Sequence, residues 1–501
     1  MLPRKADDRA VPLAELEKAI RDGHGDETRS ALESWGNREV PRQQLALFAQ
    51  LCWRSGIADM GIRVLNPIVR ADRRNPQVPA PEEKAEYAAC LIKIGAPEEG
   101  LELLKELDPQ LTPVTWLYQA FGLVTHWNYR ASIAPLEKYL GHPQISSYQR
   151  LVGKANLAAA LVYERKRLQA DFVLRDLLHA TSATGSQLLL GTAMGLTAAN
   201  FVLGRRWSDA DAFLKRASGL IRDGASLDSL FIEKWQTIQR FLRSPRDESA
   251  QVGLHALRAR AVTRQHWETV RDCDRYEAIA LKSHHLLQHL YFGTPYDDFR
   301  ERLVRDFGTT AKLPREYDWN PSDDGGSSRA YRFLQGETPP RGKPLKVGQL
   351  VHRTLSCLCS DFYRPMRLAT LHFRVFPNEH YNPESSPHRI HEALRRSRDW
   401  LEETGIPLVI QEKNGLYSLT VTAPCRVVIP KRELIQHRIG VVIQRLSERG
   451  ASGSFSVREA TQALGGSMRT TLRLLEEGQK LGVISREGVG RSTRYRILVE
   501  K

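Results

Sequence analysis

Cysteine is scarce. The 501-residue chain has six (Cys52, Cys90, Cys273, Cys357, Cys359 and Cys425), and no two form a Cys-x-x-Cys pair. That pattern gives neither a zinc cluster nor a disulfide framework, so the thiols are expected buried or free in a reducing cytosol. Long apolar runs are missing too. No stretch reaches the roughly 18 residues a membrane span needs, and the opening Met-Leu-Pro-Arg-Lys-Ala-Asp-Asp-Arg lacks the apolar core of a signal peptide. There is no Walker A loop, because Gly465-Gly466-Ser467-Met468-Arg469-Thr470-Thr471 lacks its lysine and its spacing. Neither a nucleophile elbow nor His-Glu-x-x-His occurs. His284-His285 with His289 offers two imidazoles at i and i+4 but no following glutamate and no third ligand, which reads as packing or surface histidine. The expectation is a cytoplasmic protein that is not an enzyme, with no catalytic residue, cofactor, metal or membrane partner.

Acid is short in one place only. The formal net charge is +15. Residues 431–501 hold 14 Lys and Arg against 7 Asp and Glu, and residues 328–430 hold 15 against 9. The first 327 residues are nearly balanced, 44 against 42. The C-terminal third is therefore the part that attracts polyanions.

Residues 1–35 read as a polar segment with one helix at 12–21. From 36 to 310 apolar periodicity is helical almost throughout, and the helices fall into pairs. Turns recur at 56, 95, 127, 166 and 204, intervals of 39, 32, 39 and 38 residues. Small residues (Ala89, Gly122, Ala159, Ala199) sit on the first helix of their pairs, where close helix approach wants them. This resembles tetratricopeptide-type hairpins in architecture, without their consensus. Such an α-solenoid implies a surface for a protein or peptide partner, or for self-association into a homo-oligomer. Residues 311–345 change character: Asn320-Pro321-Ser322-Asp323-Asp324-Gly325-Gly326 and Pro339-Pro340-Arg341-Gly342 are linker chemistry.

Two further modules follow. In 431–501, a helix from Val457 to Leu464, a Gly465-Gly466 turn, and a second helix capped by Ser467 lead into strands at 483–486 and 494–499. Leu464-Gly465-x-Ser467-x-x-Thr470, Leu481-Gly482-Val483-Ile484 and Gly490-Arg491-x-Thr493-Arg494-Tyr495 resemble bacterial winged-helix DNA-binding domains of transcriptional regulators. Gly478 departs from their usual leucine. In 346–430, helices at 347–359, 366–376 and 387–403 precede a hairpin turning at Lys413-Asn414-Gly415. Ala393 to Leu401 and Asn414-Gly415-Leu416-Tyr417 resemble the effector domain of response regulators, although Leu416 splits the usual Gly-Tyr and no receiver domain precedes it.

The fold class expected is thus mainly α, a tetratricopeptide-like solenoid followed by two winged helix-turn-helix (α+β) domains. The resemblances imply a transcription regulator that binds double-stranded DNA and is nucleoid-associated. Base or phosphate contacts would come from Ser467, Arg469, Thr470, Thr471 and Arg473 on the recognition helix. Arg486, Arg491, Thr493, Arg494 and Arg496 would serve on the wing, and Arg389, Arg395, Arg396 and Lys413 in the preceding module. The alternative is a scaffold subunit, similar to the PCI subunits of large eukaryotic assemblies, whose repeats and winged helices bind protein and read no DNA sequence.

Overall fold

The computed structural model describes residues 11–498 except 22–23, 36–39, 71–77, 221–226, 321–328, 378, 432–453, 465–466, 481–483, 489 and 491–492. It divides into two compact units, one of residues 1–311 with 362–391 and 414–416, the other of 312–361, 392–413 and 417–501.

The first unit is mainly α. Helices α1 (Leu13–Arg21) and α2 (Gly25–Trp35) precede a series of pairs. These are α3 (Leu45–Arg54) with α4 (Ala58–Val69), α5 (Pro81–Ile94) with α6 (Pro97–Lys105), and α7 (Val114–Thr125) with α8 (Tyr129–Gly141). Then come α9 (Ser147–Tyr163) with α10 (Arg167–Thr184), α11 (Gln187–Leu203) with α12 (Trp207–Leu220), and α13 (Leu227–Arg243) with α14 (Glu248–Thr263). Finally α15 (Trp267–Leu281), α16 (His284–Phe292) and α17 (Asp297–Phe307) close the series. Each helix packs on its successor, and several first helices also pack on the first helix of the next pair, as α3 does on α5, α5 on α7 and α9 on α11. This is a helical-repeat array. Helix α1, anticipated in the sequence, and α2, which was not, add Leu13, Leu16 and Leu32 to a core with Phe48 and Leu51.

One device makes the turns. Gly56, Gly95, Trp127, Arg165, Arg205, Gln265 and Lys282 all have positive φ, and each precedes a residue whose N–H returns to a carbonyl five positions back. Ile57 to Cys52, Ala96 to Leu91, Asn128 to Leu123 and Lys166 to Leu161 are examples, between 2.9 and 3.0 Å. This is the Schellman closure, which satisfies the carbonyls a helix end leaves orphaned. The first five fall within one residue of the turns read from sequence. At Gly95 (φ 98°) space is short as well, because an added Cβ would lie 2.3 Å from Thr370 Oγ1, which would have to turn away. Pro81 and Pro97 open α5 and α6, where a missing N–H costs nothing.

Residues 362–391 belong to this unit and lie against the array. The Phe362 N–H donates to the Gly293 carbonyl (3.0 Å), and the Tyr363 hydroxyl donates to Asp274 (2.8 Å). The Tyr381 N–H donates to Glu99 (3.0 Å). The stretch carries β3 (Met366–Arg367), α19 (Leu368–Val375) and the start of α20 (Ser386–Thr404).

In the second unit, the residues read as linker include two strands, β1 (Glu316–Trp319) and β2 (Arg329–Tyr331), with Tyr317, Trp319, Phe333 and Leu334 buried. Helix α18 (Leu350–Leu358) follows. Strands β4 (Leu408–Lys413) and β5 (Leu416–Val421) are neighbours in a sheet and meet at the anticipated turn, where Asn414 and Gly415 both have positive φ, as a two-residue hairpin loop requires. β6 (Cys425–Pro430), not foreseen, pairs antiparallel with β1 and parallel with β2. The inner face of α20 is as its periodicity demands: Ile390, Ala393, Leu394, Ser397 and Leu401 are buried.

The C-terminal module has helices Val457–Leu464 and Met468–Lys480 and strands β7 (Ser454–Phe455), β8 (Ile484–Glu487) and β9 (Arg494–Ile497), in antiparallel order β7-β9-β8. Phe455, Ala460, Leu474, Leu475, Ile484 and Tyr495 form its core. The second helix seats Leu474, Leu475, Thr471 and Gly478 inward, while Met468, its first residue, is 56% exposed. Gly465-Gly466 and Leu481-Gly482-Val483 lie outside the described residues. All six cysteines are buried, and none is in a disulfide. Among the described residues no cluster of His, Cys, Asp or Glu could hold a metal ion, and no helix is long and apolar enough to cross a membrane.

Candidate functional site

The cationic candidates sort by what they touch. On α20, Arg395 bonds Glu392 (2.8 Å) and Asp399 (3.0 Å), and Arg396 bonds the same Glu392 (2.8 Å). Hydrogen bonds from Arg395 and then Arg396 pull the Glu392 carboxyl down to about 2. Arg389 pairs with Glu379 and stacks 4.1 Å over the Phe376 ring. Three arginines read as groove or phosphate contacts are therefore already in ion pairs. Lys413, the last residue of β4, is exposed.

In the C-terminal module, Arg494 donates to the Ser454 hydroxyl and carbonyl (both 2.8 Å) and lies 3.8 Å from Glu459; Arg496 lies 3.6 Å from Glu487. Both stitch the sheet together. The Thr493 hydroxyl donates to the Gly490 carbonyl (2.9 Å). Thr471 is buried, its hydroxyl donating to the Ser467 carbonyl (3.1 Å), while Ser467 itself is exposed just before the helix. Arg469 and Arg473, one turn apart, and Arg486 are exposed with no ion-pair partner among the described residues. Arg491 and the Thr470 side chain lie outside the described residues.

The array carries a site that the sequence reading missed. A cleft of about 560 Å³ is lined by residues of α1, α3, α5, α7, α8 and α9 and of the turn before α9. Its wall is aromatic: Trp53 stands edge-on to Tyr118 (5.8 Å, 87°) and to Phe121 (6.0 Å, 71°). Glu86 is buried behind that wall and accepts hydrogen bonds from Trp53 Nε1 (2.8 Å), Gln50 Nε2 (2.8 Å) and the Tyr118 hydroxyl (2.7 Å). Burial raises the Glu86 carboxyl to about 7, against the pull of those donors and of Arg54. Three cleft-wall side chains are thus fixed by one acid, the support a preformed site needs. Lys93 Nζ lies 5.3 Å from the Trp53 ring centre and 4.9 Å from that of Phe121. At the far wall Arg54 donates to the Tyr148 hydroxyl (3.1 Å), and Arg21, paired with Glu17, lies over the Tyr148 ring.

The signal was present but scattered. Gln50 and Trp53, Glu86 and Lys93, and Tyr118 and Phe121 each share a helix face at i,i+3 or i,i+7, on the first helices of successive hairpins. Only the stacking of hairpins brings them together.

The geometry defines a helical-repeat protein with small C-terminal sheets. No protein-family model matches the chain, and no curated protein matches it. Among solved structures it is similar to a Rap protein complexed with competence and sporulation factor, at 12% identity and a TM-score of 0.41, over 59% of this chain and 87% of that one.

Proposed function

We propose that the chain is a non-catalytic scaffold or adaptor whose helical array holds a protein partner in the aromatic cleft of its first hairpins. The observation that carries this reading is the wall of Trp53, Tyr118 and Phe121, braced from behind by Glu86 and left open in front. Aromatic anchors in preformed concavities are where binding energy concentrates. A photo-crosslinking side chain replacing Phe121 in the full chain is expected to trap a discrete protein in cell extract. The same group replacing the exposed Lys215 on α12 is the control. Equal labelling from both positions counts against the cleft.

A second reading keeps duplex DNA as a partner of the C-terminal module alone. Arg469 and Arg473, exposed on one face of the second helix with no ion-pair partner among the described residues, favour it. Binding of the full chain to mixed-sequence duplex should then weaken steeply with salt. Enrichment of a defined site from a random pool would make it a sequence-specific regulator. No binding at low salt removes DNA from the reading and leaves the scaffold.

A further inference from the structure

The cleft is apolar in its walls and cationic in its free charge. We propose that its ligand is an acidic segment of a partner protein, with one carboxylate on Lys93 and a neighbouring apolar side chain against Trp53 and Phe121. This rests on the reading of the cleft as a partner site and names what that partner presents.

Lys93 carries the inference. Among the described residues no carboxylate pairs with its ammonium, whose near neighbours are the Trp53 and Phe121 rings. An ammonium has three N–H donors and a ring face satisfies none of them fully. The side chain meets solvent, yet protein surrounds it closely enough that desolvation lowers its proton affinity. A cation held in that way gains from an incoming anion more than a fully solvated surface lysine does. Among the described residues the acids nearby are already engaged: Glu17 is paired with Arg21, and Glu86 is committed to three donors of the wall.

A carboxylate fits better than a phosphate. Phosphate sites are built from guanidinium forks or converging backbone N–H groups. Of the two guanidiniums lining the cleft, Arg21 is paired with Glu17 and Arg54 is engaged with Tyr148, and Lys93 sits within α5 away from its N-terminus. A single ammonium flanked by two rings suits one carboxylate with an apolar neighbour.

The test is selection of a random peptide display library on the full chain, followed by affinity measurements on the enriched peptides as synthetic, fluorescently labelled molecules. Enriched peptides should carry Asp or Glu beside an apolar residue. Replacing that acid by its amide should weaken binding about tenfold, which is the effect of one modest ion pair. Lys93→Met should abolish the difference between acid and amide, and Lys93→Arg should keep it. If amidating the C-terminus alone removes the affinity, the carboxylate is terminal; if not, it is a side chain. Peptides that need Phe121, shown by loss of binding in Phe121→Ala, but have no acidic preference overturn this inference and leave the cleft reading intact. Displacement of the peptides by inorganic triphosphate at lower concentration than by a free acidic peptide overturns the carboxylate in favour of phosphate. Peptides indifferent to Phe121→Ala, or no enrichment at all, overturn both.

Discussion

Both units hold cations between two acids, at opposite depths. In the array, Lys234 is fully buried, 2.5 Å from an equally buried Asp272 and 3.7 Å from Glu268, with the Tyr163 hydroxyl at 3.3 Å. Burial opposes its charge, but Asp272 and Glu268 outweigh that and hold the proton above the usual lysine range. On α20, Arg395 has comparable partners in Glu392 and Asp399, with 61% of its side chain exposed. Distances alone would rate the two alike. Water separates them, since an exposed pair is worth about 0–1 kcal/mol whereas removing one member of a buried pair costs about 3–5 kcal/mol.

The largest effect should therefore come from Lys234→Met. It leaves the buried Asp272 carboxylate with Arg275 at 3.7 Å in place of an ammonium at 2.5 Å, and is expected to destabilise the first unit by about 3 kcal/mol in urea unfolding. Adding Asp272→Leu should recover most of the loss. A single-variant loss below about 1 kcal/mol would erase the contrast between the two depths.

Two buried groups then sharpen the comparison through pH, with opposite signs. The folded Glu86 carboxyl titrates near 7 against 4.5 for the free group, so the unfolded chain releases that proton first as pH rises. Its contribution is complete below about 4.5 and falls as pH climbs to about 7, by up to about 3 kcal/mol. Glu86→Gln should flatten that part of the stability profile. His372 is 1% exposed, against the Phe376 and Tyr381 rings and 3.0 Å from the Ser386 hydroxyl. Burial, and then Arg389, lowers it from 6.5 to about 4. Its contribution is complete above about 6.5 and is lost as pH falls to about 4, a loss that His372→Gln should remove. Unfolding midpoints of the wild type and both variants across that range check both signs.

Much of the array was legible because its information is local. A Schellman turn needs a helix, one left-handed residue and a change of face, and all three leave marks in sequence even where the left-handed residue is Trp127 or Arg165. The ion pairs of α20 were local too: Glu392 to Arg396 and Arg395 to Asp399 are both i,i+4, a spacing that predicts mutual neutralisation. Reading Arg395 and Arg396 as groove or phosphate contacts gave no weight to the pairing that Glu392 and Asp399 offer them. What could not be read is what distant segments build. Strand β1 is a strand because β6, more than a hundred residues on, pairs with it, and Tyr317 and Trp319 are too short a run to announce themselves. The cleft likewise needs side chains from hairpins some thirty residues apart to meet.

The smallest effects decide which module touches DNA, if either does. Arg395→Ala with Arg396→Ala breaks exposed pairs and should leave stability close to the wild type. Because both guanidiniums already face Glu392, a phosphate would have to displace that carboxylate before gaining anything. The double variant should then leave DNA affinity and its salt slope as in the wild type. Arg469→Ala with Arg473→Ala removes two exposed cations that have no carboxylate to displace among the described residues. That pair should lower affinity and, where it touches phosphates, reduce the salt slope by about one per lost contact. A reversed result, with the α20 pair mattering and the C-terminal pair silent, would mean that Glu392 acts as a gate on a basic face. Silence from both would mean that neither pair carries the contact, and the assignment of the recognition helix would be wrong.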